Sequence, residues 1–193
     1  ILSSLATLSY DKRRSDFFTQ ELLILLKLVD KDIISKDILY GSWAGAFGNF
    51  QFMPSTITNY AIDYDKNSKI ELKSSLNDSV ASAANYINSI GWNKGKPCFY
   101  RVKLKEKINK KFINKSAKKL KNKLKLSEWK KKGIESYFGK SLDGNEEAAL
   151  IMPDGDMNSP SYLVFKNYEK ILKWNRSLRF GISVCTLAEM IKT

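Results

Sequence analysis

Fifteen residues constrain this chain more than any others: positions 41–55, Gly-Ser-Trp-Ala-Gly-Ala-Phe-Gly-Asn-Phe-Gln-Phe-Met-Pro-Ser. Glycines at 41, 45 and 48 break any regular helix and let another surface approach the backbone closely. Trp43, Phe47, Phe50, Phe52 and Met53 make the stretch too apolar for a solvated linker. Before Pro54, the side chains able to hydrogen-bond are Ser42, Asn49 and Gln51. A floor of small residues, aromatic walls and a few polar groups suits a sugar-binding cleft. The same composition suits a tight helix-to-helix turn packed on a core, and composition alone leaves both open.

The literal string says more. GSWAGAFGNFQFMPSTITNYAIDYD closely resembles the signature of the MltB-type lytic murein transglycosylases, G-S-[FWY]-A-G-A-M-G-x-x-Q-F-[ML]-P-S. Three other segments resemble the same family in the same order: 1–18 (ILSSLATLSYDKRRSDFF), 84–95 (ANYINSIGWNKG) and 167–180 (NYEKILKWNRSLRF). The likeness runs through the whole chain and is weakest at 100–150. It implies an α+β fold with a mainly helical, lysozyme-like core and a small β-containing insertion. Residues 1–95 would form the first part of that core, 96–166 a basic, partly β insertion, and 167–193 a helical return.

Length and composition set outer limits. A chain of 193 residues buries one core, or one and a small subdomain. The net charge of +13 rests almost wholly on lysine, with five arginines at 13, 14, 101, 176 and 179, and draws the chain toward polyanions. The absence of histidine excludes His-based triads and His metal sites. Cys98 and Cys185 are either paired or free; their number does not choose. No apolar run approaches the ~18–20 residues of a membrane span; the longest, 22–29, is interrupted by Lys27. The chain opens on Ile1, without methionine and inside an apolar pattern, which leads us to expect a missing upstream portion.

Periodicity supplies the elements. Leu2, Leu5, Ala6 and Leu8 mark an opening helix; Asp16 is placed to cap a second, nearly buried one, in which Glu21 reads as a polar-face or capping residue. Pro54 suits the first turn of a short helix over 55–62. Leu76, Val80, Ala83, Ala84, Ile87 and Ile90 form a helical stripe ended by Gly91. Residues 96–101 read as a turn. From 102 to 132, Ile108, Phe112, Leu120 and Leu124 recur at multiples of four and suggest a basic amphipathic helix. A short capped helix over 127–134, strands at 148–152 and 161–165 joined by a 153–160 loop, and a last helix with Phe180, Val184, Leu187, Ala188 and Ile191 on one side complete the pattern.

The resemblance also implies a chemistry. Lytic transglycosylases cleave the MurNAc–GlcNAc β-1,4 bond of peptidoglycan with one Glu as acid and then base, the muramic acid C6 hydroxyl attacking to form a 1,6-anhydro sugar. That Glu belongs to an ET-x-[WY]-G type motif, which occurs nowhere in this chain, so the catalytic general acid is expected to be absent and the chain inactive alone. The supporting positions match residue by residue. Ser42 and Asn175 would hydrogen-bond the carboxyl and the substrate's N-acetyl region. Arg13, Arg14, Trp43, Gln51, Tyr86, Trp174 and Phe180 would bind substrate, the last two standing where the family usually has tyrosine. Oxygen-bearing residues at Asp63, Asp65 and Asn67, with Asp78 as a late ligand, resemble an EF-hand loop in which Ser68 replaces the usual Gly and Ser74 the usual Glu. A structural calcium or sodium ion would fit there, and no cofactor is required. The implied partner is the peptidoglycan glycan strand and the implied location the bacterial periplasm or cell envelope. Two rivals remain: a non-catalytic murein-binding remnant of a split or decayed gene, and a nucleic-acid binder built on the 103–132 lysines. The second lacks any RNA-binding or helix-turn-helix signature, and its aromatics lie away from its lysines, so no specific nucleic acid is expected.

Overall fold

The computed structural model describes residues 1–156 and 159–191. Met157 and Asn158, part of the loop expected at 153–160, lie outside the described residues, as do Lys192 and Thr193. The α+β character is as expected: seven α-helices and six strands lie among the described residues. They fall into two compact units, Ile1–Ile90 and Gly91–Thr193.

The first unit is helical. It holds α1 (Leu2–Tyr10), α2 (Ser15–Asp30), α3 (Pro54–Tyr60) and α4 (Leu76–Ser89). Helix α2 buries Phe18, Leu25 and Leu28, but Phe17, Leu23 and Leu26 are exposed, so it is not the nearly buried helix its sequence suggests. An apolar stripe wider than one packing face has to leave its margins in solvent. Arg14, not Asp16, is the N-cap; Asp16 sits in the first turn, where the helix dipole favours a carboxylate. Glu21 is buried and caps α3, accepting from Ser55 N at 2.9 Å and Ser55 Oγ at 2.6 Å.

Helix α4 inverts the expected pattern. The stripe read as its core face includes Leu76 and Val80, which are 69% and 49% exposed, while Asp78, Ser79 and Ser82 are buried. The inward side chains serve loop backbone: Asp78 accepts from Tyr64 N at 2.9 Å and Glu71 N at 3.0 Å, and Ser82 Oγ accepts from Ile62 N at 2.9 Å. Loops packed against a helix carry N–H and C=O groups that need partners, and polar side chains supply them.

The second unit is built on a sheet ordered β2-β5-β6-β1-β4, with β3 pairing β5 off that path. The strands are β1 (Phe99–Leu104), β2 (Ile113–Asn114), β3 (Leu124–Lys125), β4 (Ile134–Ser136), β5 (Glu147–Ile151) and β6 (Ser161–Val164). The β2–β5 pair is parallel and the other pairs antiparallel. Strands β5 and β6 match expectation within a residue. Two expectations fail. Residues 99–101 belong to a strand, not a turn, and 102–132 contains no long basic helix, only short strands, a 3-10 turn and the six-residue α5 (Leu126–Lys131).

Tertiary packing overrides the four-residue spacing. Ile108, Phe112 and Leu124 pack from loop, 3-10 turn and strand, respectively, against a core that includes Trp129, Leu150 and Leu163. Phe112 meets the buried Trp129 edge-on at 5.8 Å, and Trp129 Nε1 donates to Ala148 O at 2.9 Å. Buried Asn114 ties down the following loop, accepting from Lys121 N at 2.7 Å and donating to Lys121 O and Leu150 O, each at 3.0 Å. Helices α6 (Lys166–Trp174) and α7 (Leu178–Ile191) complete the unit. Helix α7 buries Leu178, Gly181 and Cys185 rather than the expected stripe, and Leu187 and Ile191 are exposed. Its face is set by a disulfide from Cys185 to Cys98 and by Tyr168, whose hydroxyl donates to Leu178 O at 2.6 Å. A Cβ on Gly181 would lie 2.7 Å from the Tyr168 ring.

Candidate functional site

The glycine-aromatic stretch folds as two fused tight turns. Ser42 N donates to Ala46 O at 2.7 Å, and Phe47 and Phe52 exchange backbone hydrogen bonds of 3.0 and 2.9 Å. Gly45 has φ +91 and presses on Leu5, where an added Cβ would fall 2.3 Å from a Leu5 methyl. Gly48 has φ +78 and lies under Leu72. Only glycine meets both demands cheaply. The aromatics divide: Phe47 and Phe52 are buried, while Trp43 is 74% exposed and Phe50 is also exposed. The loop is a packed turn on its inner side and carries exposed aromatic rings on its outer side.

The turn fixes the polar groups. Ser42 Oγ accepts from Ala44 N at 3.3 Å and Ala46 N at 3.0 Å, so its hydroxyl hydrogen points away from them, available as a donor. Gln51 is exposed with φ +54, a costly conformation for a residue with a side chain, and its amide donates to Gly48 O at 2.9 Å. Asn49 braces the loop against α4, with N donating to Leu72 O at 2.8 Å and Nδ2 to Ser79 Oγ at 3.2 Å.

Arg13, Arg14 and Trp43 line one recess of about 160 Å³ with Leu8, Asp11 and Phe18. The Arg14 guanidinium lies 4.4 Å from the Phe17 ring centre and 5.3 Å from that of Phe18, a cation–π contact that orients it. Tyr86, on α4, packs edge-on against Phe52 at 5.9 Å and Tyr60 at 4.9 Å. Burial, helped by Tyr60, pushes its phenol pKa up, so it stays a protonated donor.

In the second unit, Trp174, Asn175 and Phe180 flank the α6–α7 corner. Asn175 is the exposed C-cap of α6, in extended conformation, and its carbonyl accepts from Ser177 N at 2.8 Å. Phe180 N donates to Ser177 Oγ at 3.3 Å, which starts α7.

The acidic loop of the first unit gathers Asp63, Asp65 and Asp78, with one oxygen from each within 4.8 Å of the others. Asp63 is held by Asn67 N at 3.1 Å and Ser68 N at 2.8 Å. Desolvation raises the Asp65 pKa, with Asp78 and Asp63 adding to the rise. Asn67 turns inward on the loop itself, donating to Glu71 Oε2 at 2.9 Å and accepting from Lys69 N at 2.8 Å.

Comparison with known proteins decides the family. The transglycosylase SLT domain matches residues 1–189. This chain belongs to the transglycosylase SLT domain family. Over 196 residues it is 29% identical to membrane-bound lytic murein transglycosylase B of Escherichia coli K12, covering 99% of this chain and 50% of that protein. The structure of SltB3 from Pseudomonas aeruginosa in complex with NAG-anhNAM-pentapeptide is 35% identical with a TM-score of 0.85, over 99% of this chain and 50% of that one. Escherichia coli Slt35 in complex with calcium is 27% identical with a TM-score of 0.79, over 96% and 57%. The chain spans about half the length of the relatives it matches. Its fold is that of the lysozyme-like lytic transglycosylases.

Four of the chain's glutamates are engaged within the fold. Glu21 caps α3, Glu128 accepts from Lys125 N at 3.0 Å, and Glu135 and Glu169 pair with Lys105 and Lys123 at 2.6 and 2.7 Å. Each has a structural partner. Sequence reasoning missed two residues of this domain's first unit. Glu71 occupies the ninth position of the acidic loop, where an EF-hand often ligates through water, and Ser79 links the glycine loop to α4. The alternation of the acidic loop, carried four residues beyond Asn67, would have found Glu71. Ser79 had no signal, because its helix position reads as solvent-facing.

Proposed function

We propose that this chain acts on peptidoglycan as the glycan-holding part of a lytic transglycosylase, in a reaction that cleaves the MurNAc–GlcNAc β-1,4 bond and closes a 1,6-anhydromuramic acid. The observation that carries the reading is the 41–53 loop: it buries Phe47 and Phe52 while presenting Trp43, Gln51 and the Ser42 hydroxyl outward. A rigid turn with an exposed indole and fixed donors suits a sugar ring, whose apolar face packs on the aromatic while its hydroxyl and amide groups take the polar contacts. The Ser42 hydroxyl and Asn175 would each offer hydrogen bonds to the substrate, Gln51 and Tyr86 would bind sugar, and Trp174 and Phe180 would offer rings without a phenol. Arg13 and Arg14 would hold stem or lactyl carboxylates, for which the guanidinium fork is matched.

Bond cleavage transfers a proton to the leaving oxygen while the C6 hydroxyl of muramic acid closes on the anomeric carbon, and no water is consumed. In this proposal none of the chain's glutamates is the acid. Three carboxylates within bonding distance of one centre suit a hard cation, and Asp63, Asp65 and Asp78 would hold calcium or sodium to brace the loop beneath α4. An envelope location fits the Cys98–Cys185 disulfide, which persists in oxidising compartments, and fits the membrane-bound relative. Among the described residues no helix is long and apolar enough to cross a membrane.

Incubation with purified sacculi, following turbidity and anhydro-muropeptides, tests the assignment. Without its general acid the chain should turn over at least about 10²–10⁴-fold more slowly than an intact transglycosylase. Robust release of anhydro-muropeptides by the chain alone would contradict the assignment of the acid, and hydrolytic products lacking the anhydro ring would contradict the reaction type.

A further inference from the structure

The α6–α7 corner carries more positive charge than sugar binding requires. Lys115 and Lys118, from the loop after β2, Arg176, from the link between α6 and α7, and Arg179, in the first turn of α7, line one open recess of about 420 Å³ with Pro153. All four cations are exposed. One carboxylate, Asp154, meets the set through Arg179. Four cations gathered around one recess repel each other, and the arrangement is relieved when an anion occupies it.

The recess also adjoins residues assigned to the glycan. Arg176 directly follows Asn175 and Arg179 directly precedes Phe180. The recess and the residues assigned to the glycan therefore share the α6–α7 corner. Guanidinium forks match carboxylates, and lysines add charge without demanding geometry.

We propose that this recess binds the carboxylates of a peptide stem attached to a glycan seated on Asn175 and Phe180, a second anion site separate from Arg13 and Arg14. The proposal rests on the peptidoglycan reading above. It makes the chain selective for stem-bearing glycan over neutral glycan, through groups drawn from the lysine-rich 103–132 region's own loop as well as from α7.

Calorimetric titration separates the two readings. The probes are GlcNAc–MurNAc-pentapeptide and the neutral GlcNAc tetrasaccharide. The proteins are the wild type, the variant Lys115→Gln/Lys118→Gln/Arg176→Gln/Arg179→Gln, and a charge-matched control, Lys31→Gln/Lys94→Gln/Lys107→Gln/Lys131→Gln. The recess variant should lose about 10- to 100-fold in affinity for the stem-bearing probe and keep its affinity for the tetrasaccharide, while the control changes neither. If removing the Asp154 contact unsettles the fold, the triple variant that retains Arg179 should show the same selective loss. Unchanged affinity in the recess variant, or equal losses in recess and control variants, overturns the recess and leaves the peptidoglycan reading intact. Failure of the wild type to bind either probe overturns both.

Discussion

The two units solve the same problem with opposite materials. In Ile1–Ile90, side-chain oxygens hold the loops: Asp78, Ser79, Ser82 and Glu21 are all buried and all bonded to main chain. In Gly91–Thr193, an apolar cluster around Trp129 and a disulfide hold the sheet and α7. Polar bracing fixes the direction of each loop group, as the sugar-binding role proposed for Ser42 and Gln51 would require. Apolar packing fixes a volume, and the lysine-bearing loop after β2 is held to it by buried Asn114.

The largest test of this contrast is Trp129→Ala. It removes the largest fully buried side chain of the second unit and its bond to Ala148 O, and should cost about 3–5 kcal/mol in urea unfolding of that unit. A loss below about 1 kcal/mol would mean that the sheet does not depend on this cluster.

Asp78→Ala comes next, at about 2–4 kcal/mol, because Tyr64 N and Glu71 N lose a charged acceptor in a buried setting. Asp78→Leu, which restores a conventional apolar helix face, should not recover that loss; recovery would show that α4 is held by burial and not by its polar contacts.

Proton competition at the acidic loop sharpens the same point. The Asp65 pKa is raised by desolvation and by its carboxylate neighbours, so if the proposed site holds calcium its affinity should weaken as pH falls through that raised value, beginning above the ordinary carboxylate range of about 4. Without a cation the sign reverses for stability. The fold takes up a proton at Asp65, so its contribution is favourable below the raised pKa and is lost as pH rises through it. Calcium titrations at two pH values check the first statement, and melting curves without calcium check the second.

Lys105→Ala should change stability by less than about 1 kcal/mol, since the 2.6 Å pair with Glu135 lies in solvent on both sides.

The contrast also explains what could be read in advance. The 41–55 string was legible because its glycines, its rings and its polar residues each answer a local demand, and the loop satisfies most of them within itself. Asp63, Asp65 and Asp78 were legible for the same reason. The buried face of α4 was not, because periodicity counts apolar residues and cannot see that neighbouring loops present bare N–H groups. Strands were hidden in 102–132 because lysine occupies exposed positions of any element, so Ile108, Phe112 and Leu124 looked helical by spacing while packing as loop, 3-10 turn and strand. The anion recess was invisible because Lys115 and Arg176 are brought together by the sheet, far apart in the chain.

Co-sedimentation with purified sacculi tests the glycan-holding role proposed for this loop most directly, comparing the wild type with Trp43→Ala. Trp43 is exposed, so its loss should leave the fold intact while removing the stacking face. The wild type should pellet with the sacculi and Trp43→Ala should remain largely in the supernatant at the same salt concentration. Equal pelleting of the two proteins would mean that charge alone holds the chain to the wall and that the loop is only a turn.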